Sequence, residues 1–142
     1  MENANAMRTA SLLHESAREL SRLLDRELSA QGVTAQQAAL LIHLAGGENS
    51  PKRLAAALGI DTAGTTRLVD RLEAKGLLQR RRGAEDRRAV VLEPTEPGRR
   101  LAPALTPIFA AVAASFFLGS TDAEIREAGD LLERVLASRT EQ

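Results

Sequence analysis

The sequence predicts a mainly helical fold with one small β-hairpin, and three observations carry that expectation. Between Ser50 and Gly76 two short helix patterns are separated by only Gly59, Ile60 and Asp61. Directly behind them, strand-like runs near 77–82 and 89–93 flank a charged loop. Hydrophobic residues make up 44% of the 142 residues but aromatics only 2%, so the core must be built from Leu, Ala, Val and Ile, a composition that favours helices. A chain of this length holds one domain, or one domain plus appendages, with a modest core.

Residues 1–7 are small and polar, without periodicity, and are expected to fray. From Arg8 the spacing of Leu13, Ala17, Leu20, Leu24 and Leu28, with Leu12 and Leu23 as an adjacent stripe, predicts a long helix that Gly32 ends. So broad an apolar surface fits a plain core helix or a helix that also meets a second chain. Thr34 and Gln37 form a capping box opening a helix through Ala38, Leu40, Leu41, Ile42 and Leu44, closed by Gly46-Gly47. This helix should be buried, with His43 as a structural or half-exposed histidine or, alternatively, a member of a ligand pocket.

Ser50 as N-cap and Pro51 at the first helical position open the next helix, which Leu58-Gly59 closes. Asp61 can cap the following one, which runs to about Lys75 before Gly76 stops it, so the pair must cross steeply across a tight turn. That is helix-turn-helix geometry. At 100° per residue, Leu68, Val69 and Leu72 with Gly64 and Thr65 fall on one side, and Ala63, Thr66, Arg67, Asp70 and Ala74 on the other. The first half of the helix carries Thr62, Ala63, Gly64, Thr65 and Thr66, small enough to enter a major groove roughly 12 Å wide, with Arg67 able to reach a guanine edge or a phosphate. Asp70 is an awkward acid on such a face, and is read as orienting Arg67 or a nearby strand arginine. An ordinary solvated amphipathic helix would look similar. The hairpin shifts the balance: Arg80, Arg81 and Arg82 on one side of the loop and Arg87 and Arg88 on the other suit a wing lying along a phosphate backbone.

Beyond the hairpin Thr95 can cap a long helix. Pro103 and Pro107 lie inside it, and an interior proline costs about 3 kcal/mol unless the helix bends, so a kink or a start delayed to the second turn is expected. Ile108, Val112, Phe116 and Phe117 continue its apolar face to Gly119. Thr121 with Glu124 is a second capping box, and Ile125, Ala128, Leu131, Leu132, Val135 and Leu136 stripe the last helix, whose acidic opening at Asp122 and Glu124 complements the helix dipole.

The net charge is zero, yet residues 51–100 hold twelve basic and seven acidic residues, net +5, leaving net −5 for the rest. A segregated basic middle suits a DNA-binding lobe on an acidic platform. With no cysteine there is no disulfide, no thiolate metal site and no thiol redox sensing. His14-Glu15 begins a metalloprotease-like motif, but Arg18 stands where its second histidine belongs; Gly46-Gly47 lacks the context of a phosphate-binding loop; and Glu85-Asp86 sit among arginines, a setting that suits charge pairing and not general-acid work. The chain is not expected to be an enzyme, and no cofactor or metal is expected. No apolar run approaches 18 residues and the first residues lack the apolar core of a signal peptide, so no membrane partner is expected either.

The run Asp61-Thr62-Ala63-Gly64-Thr65-Thr66-Arg67-Leu68-Val69-Asp70-Arg71-Leu72, then Lys75-Gly76-Leu77, the Asp-x-Arg at Asp86 and Arg88, and finally Thr95 and Gly98 resemble the winged helix of the MarR family of bacterial regulators. These motifs cover about a third of the chain, and the flanking helices extend the similarity over nearly all of it. One departure is Pro94, where the family usually has leucine. The resemblance implies a single domain over 1–142, a winged helix-turn-helix lobe at 34–95, and terminal helices at 8–31 and 96–138 forming a dimerisation platform. It implies a homodimer bound to pseudo-palindromic double-stranded DNA, acting as a repressor, with a small aromatic or anionic effector as the class that releases it, in the bacterial cytoplasm at the nucleoid. It places Arg88 in a minor groove with Asp86 holding it in position. The candidate DNA contacts are Ser50, Lys52, Thr62, Ala63, Gly64, Thr65, Thr66, Arg67, Arg71, Arg82, Arg87 and Arg88. A winged helix that binds protein and not DNA is the alternative.

Overall fold

The computed structural model describes residues 2–140. In order, the elements are helices α1 (Glu2–Leu28), α2 (Ala35–Ala45), α3 (Pro51–Leu58) and α4 (Thr62–Ala74), strands β1 (Leu78–Arg82) and β2 (Val90–Pro94), and helices α5 (Glu96–Phe116) and α6 (Asp122–Thr140). They form two compact units, one up to Val112 and one from Ala113 onward.

In the first unit each helix begins and ends where its local chemistry dictates. Thr34 accepts from the Gln37 N–H while Gln37 accepts from that of Thr34, completing the capping box of α2. Ser50 caps α3 and Asp61 caps α4, the latter accepting from Gly64 N at 2.6 Å. Gly59 and Gly76 close their helices in the left-handed region, at φ 65° and 72°, which a side chain would strain. Leu28, Leu40, Leu41, Leu54, Leu72, Leu78, Leu92 and Leu105 are fully buried in one cluster with Val33, Ala38, Leu44, Leu68, Val69 and Ala102. The core is aliphatic, as the composition requires, with Phe109 only at its edge.

The hairpin pairs antiparallel, with Arg80 opposite Leu92 and Arg82 opposite Val90. Leu78 and Leu92 point into the core, and the Leu92 N–H reaches Asn49 O at 2.9 Å, fastening the sheet to the α2–α3 connection. Pro94 is the last residue of β2, a position where its missing N–H is tolerated.

Two boundaries differ from the expectations. Helix α1 is already formed at Glu2, not at Arg8; Ala4, Ala6 and Met7 are strong helix formers, and nothing before Arg8 breaks a turn. Met1 lies outside the described residues. Helix α5 starts at Glu96, so of the two expected outcomes the start delayed to the second turn does not occur, and the helix continues through Pro103 and Pro107. The prolines are four residues apart, hence on one flank, and both are exposed, so water can replace the donors that two carbonyls lose.

The start of α5 is clamped to the turn after α4. Thr95 Oγ1 donates to Gly76 O and accepts from Gly98 N, and Thr95 N donates to Leu77 O at 3.1 Å. A Cβ on buried Gly98 would sit inside the van der Waals radius of Leu77 O.

In the second unit Phe116 and Phe117 meet edge to face with centroids 5.1 Å apart. Thr121 and Glu124 form the reciprocal box that opens α6. Leu131, Leu132, Val135 and Leu136 of its apolar stripe are exposed.

Two outcomes follow from these contacts. Helix propensity alone would make Gly98→Ala stabilising by about 1 kcal/mol, whereas crowding against Leu77 O should destabilise by about 1–3 kcal/mol; a urea midpoint at or above wild type would refute the clamp. The N–H and hydroxyl of Thr121 hold the Glu124 carboxyl below its ordinary value, so its contribution to α6 is present above the ordinary glutamate range and lost as pH falls through the lowered value. An NMR titration of the Glu124 carboxyl should give a midpoint below 4.5; one at or above it would contradict the box.

Candidate nucleic-acid interface

Helix α4 buries Thr65, Leu68, Val69 and Leu72 and leaves Thr62, Ala63, Thr66, Arg67, Asp70 and Arg71 exposed. Thr65 must be removed from the candidate contacts. Its side chain is 3% exposed and its hydroxyl donates to Asp61 O at 2.9 Å, so it packs the helix down instead of presenting it. Thr66 also turns its hydroxyl inward, donating to Thr62 O at 2.9 Å, but stays exposed, with the oxygen still able to accept. Gly64 is half-buried, and a Cβ there would lie 3.0 Å from the capping oxygen of Asp61 and 3.8 Å from the Arg67 guanidinium. Glycine thus keeps the helix start thin and its cap intact.

At the start of α3, Ser50 Oγ accepts from Arg53 N at 3.4 Å and is half-buried, while Lys52 projects from the first turn. The surface between α3, α4 and the hairpin is concave, a cleft of about 570 Å³ lined by Lys52, Thr62, Thr66, Val69, Arg80 and Val90 among others. On the other flank of α4, Arg67 and Arg71 border a hollow of about 370 Å³ with Asp61 and Gln36.

The hairpin divides its arginines. Arg80 turns back onto α4: its guanidinium donates to Asp70 Oδ1 at 2.5 Å and Glu73 Oε1 at 2.6 Å, and its backbone N–H to Glu73 Oε2 at 3.1 Å. Of the two partners open to Asp70 in the sequence, the strand arginine is the one it takes. The bond to Asp70, followed by that to Glu73, raises the Arg80 pKa above its ordinary value. Arg81 pairs with Glu93 at 2.7 Å, on an oxygen that also accepts from Gln79. Two arginines of the run 80–82 therefore serve the hairpin itself, and the run is not one continuous strip for phosphates. Among the described residues, Arg82, Arg87 and Arg88 are exposed and have no acidic partner, as do Arg67, Arg71 and Lys52.

The loop that presents Arg87 and Arg88 is tightly bonded. Gly83 N donates to Ala89 O, Ala89 N to Asp86 O, and Arg88 N to Asp86 Oδ1 at 2.9 Å. A Cβ on Gly83 would crowd Asp86 O, so the loop closes only over glycine. Asp86 orients Arg88 through its backbone N–H and leaves the guanidinium free. Sequence reasoning offered a strand arginine as one partner of Asp70 but missed the pairing of Arg81 with Glu93 and a bond from Lys75 Nζ to Gly32 O and Gln37 Oε1, because both join residues remote in sequence. The signal for Arg80 was charge order: acids at Asp70 and Glu73 one turn apart, facing the following strand.

His43 is exposed on α2, as a structural histidine there can be. No group of three or more metal-ligating side chains is assembled among the described residues, and no helix there is long and apolar enough to cross a membrane.

The geometry places the chain among known proteins. A sequence model of the MarR family matches residues 31–89, which span α2 through the hairpin loop. The transcriptional repressor MprA of Escherichia coli is 36% identical over 93 residues, covering 61% of this chain and 53% of that protein, so this chain matches about half the length of its curated relative. Among solved structures, transcriptional regulator PA3341 is 30% identical over 94% of this chain and 99% of its own, with a TM-score of 0.81. A mutant of MarR from E. coli, crystallised with operator DNA, is 25% identical over 93% of this chain and 96% of its own, with a TM-score of 0.85. On the fold, the hairpin and these matches together, the chain belongs to the MarR family of winged-helix regulators.

Proposed function

We propose that this chain is a sequence-specific DNA-binding transcriptional regulator that works as a homodimer on a pseudo-palindromic operator, as a repressor. The observation that carries the reading is the thin, exposed start of α4 in a lobe whose Arg67, Arg71, Arg82, Arg87, Arg88 and Lys52 are exposed and unpaired. In a chain of zero net charge, basic side chains left without partners in one lobe are suited to phosphates. Residues 34–95 form the DNA-binding lobe, and 8–31 with 96–138 the dimerisation helices. Leu12 and Leu13 on α1 and the exposed stripe of α6 support that assignment, since apolar surface of this extent favours cover by a second copy.

In such a dimer the two α4 helices would enter successive major grooves about 34–36 Å apart, with Thr62, Ala63, Gly64 and Thr66 against base edges. Ser50 and Lys52 at the start of α3 would meet the backbone. Each hairpin would lie along the flank, with Arg82 and Arg87 on phosphates and Arg88, its backbone fixed by Asp86, in the minor groove. The chain's role is binding, not catalysis. A small aromatic or anionic effector suits the apolar cleft between α4 and the hairpin, where an occupant would stand between the two reading elements.

Helix and wing should fail differently, and that is the test. Narrow A·T-rich minor grooves attract a guanidinium, so Arg88→Ala should weaken operator binding and flatten the preference for A·T flanks. Arg67→Ala should instead relax discrimination at inner positions by about 1–3 kcal/mol if it reads a guanine, and only lower the salt dependence if it holds a phosphate. Fluorescence anisotropy on flank-swapped and core-swapped operators reads both. Wild-type affinity and salt dependence in Arg88→Ala on both operators would remove the wing from DNA recognition and favour a protein-binding winged helix.

A further inference from the structure

Helix α4 is packed by a short aliphatic stripe, and hydrophobic contact has no direction of its own. Besides the Arg80 ion pairs on Asp70 and Glu73, a second polar tie holds the helix at its far end. Lys75, the C-cap of α4, donates from Nζ to Gly32 O at 2.6 Å and to Gln37 Oε1 at 2.7 Å. Gln37 is 3% exposed and its Oε1 also accepts from Thr34 N at 3.2 Å, so the acceptor is held rigidly by the capping box of α2. Gly32 ends the helical turn that follows α1, and the Ala35 N–H donates to Asp25 Oδ1 on α1 at 2.7 Å. Three helices thus meet at one polar corner, and Lys75 is the side chain that brings α4 into it.

We propose that Lys75 is a positioning residue for DNA recognition: by tying the end of α4 to the α1–α2 corner it sets the tilt of the reading helix, and with it the half-site spacing that the dimer accepts. The inference rests on the DNA-binding reading above. Lever length decides whether so small a contact matters. Thirteen residues at 1.5 Å each make α4 about 20 Å long, so a 10° swing about its end moves Thr62 by about 3 Å, a whole hydrogen-bond length. Lys75 itself stands at the opposite end from the reading residues, with its ammonium spent on two protein acceptors. It carries charge, which suits a helix C-terminus, but contributes no phosphate contact.

The test uses duplex DNA enriched by the wild-type protein from a random library, with the half-site spacing then lengthened and shortened by one base pair. Lys75→Met should lose about tenfold or more in affinity at the preferred spacing, flatten the preference among spacings, and leave the slope of log affinity against log salt unchanged. Lys75→Arg, which can donate to both acceptors, should restore most of the preference. Gln37→Met should reproduce Lys75→Met, and the double variant should be no worse than either, as expected of two ends of one contact. A purely structural lysine would lower the melting temperature and leave the spacing preference intact, which overturns the proposal. So does a uniform loss across spacings with a slope reduced by about 0.9, because that is the signature of a phosphate contact. Failure of the wild-type protein to enrich any sequence overturns the DNA-binding reading itself, and the role of Lys75 with it.

Discussion

The ion pairs of Arg80 join the two halves of the proposed reading surface. The guanidinium comes from the first strand of the hairpin and its acceptors, Asp70 and Glu73, from the exposed side of α4. With Arg80 one-third exposed and the carboxylates more so, each pair is worth only about 0–1 kcal/mol to stability. Their value is geometric. Two acceptors one helical turn apart and a planar donor leave the hairpin a single way to stand against the helix, and the backbone N–H of Arg80 on Glu73 adds a third point.

That constraint gives the charge pattern its sense. The basic residues of the middle of the chain divide into those that hold the lobe together and those that remain available. Arg80 and Arg81 are paired, and Lys75 is bonded to neutral acceptors. Arg67, Arg71, Arg82, Arg87 and Arg88 are not. Because Asp70 is consumed by Arg80, it no longer repels phosphates as a free carboxylate would, and its place on the exposed side of the proposed reading helix ceases to be awkward. The Gly98 contact with Leu77 plays the matching part on the other side of the hairpin, seating α5 on the turn that leads out of α4.

Much of this was legible in the sequence, and the limits fall along a physical line. Most of what is decided within four residues could be read, the start of α1 at Glu2 instead of Arg8 being the exception. The boxes at Thr34 and Thr121, the caps at Ser50 and Asp61, and the glycine stops at Gly59 and Gly76 each follow from a local bond or a backbone angle. The hairpin emerged from its strand runs. What could not be read depends on tertiary pairing. The helical wheel put Thr65 on the packing side with Leu68, Val69 and Leu72, while its small size made it a candidate contact as well, and its burial decides for packing. Arg80, Arg81 and Arg82 are identical letters with different partners, set by strand alternation and by where α4 lies. The prolines of α5 argued for a kink or a delayed start, but whether a helix tolerates them depends on which flank meets water.

The central claim is that charge on the hairpin binds DNA according to whether it is already paired, and removing one charge at a time tests it. Arg81→Gln and Arg82→Gln each delete one positive charge from adjacent positions on the same strand. Equilibrium binding to the operator across a salt series should give Arg81→Gln the wild-type slope, and Arg82→Gln a slope smaller by about 0.9, the release of one counterion. Equal slopes for the two variants, or the larger loss at Arg81, would contradict the account.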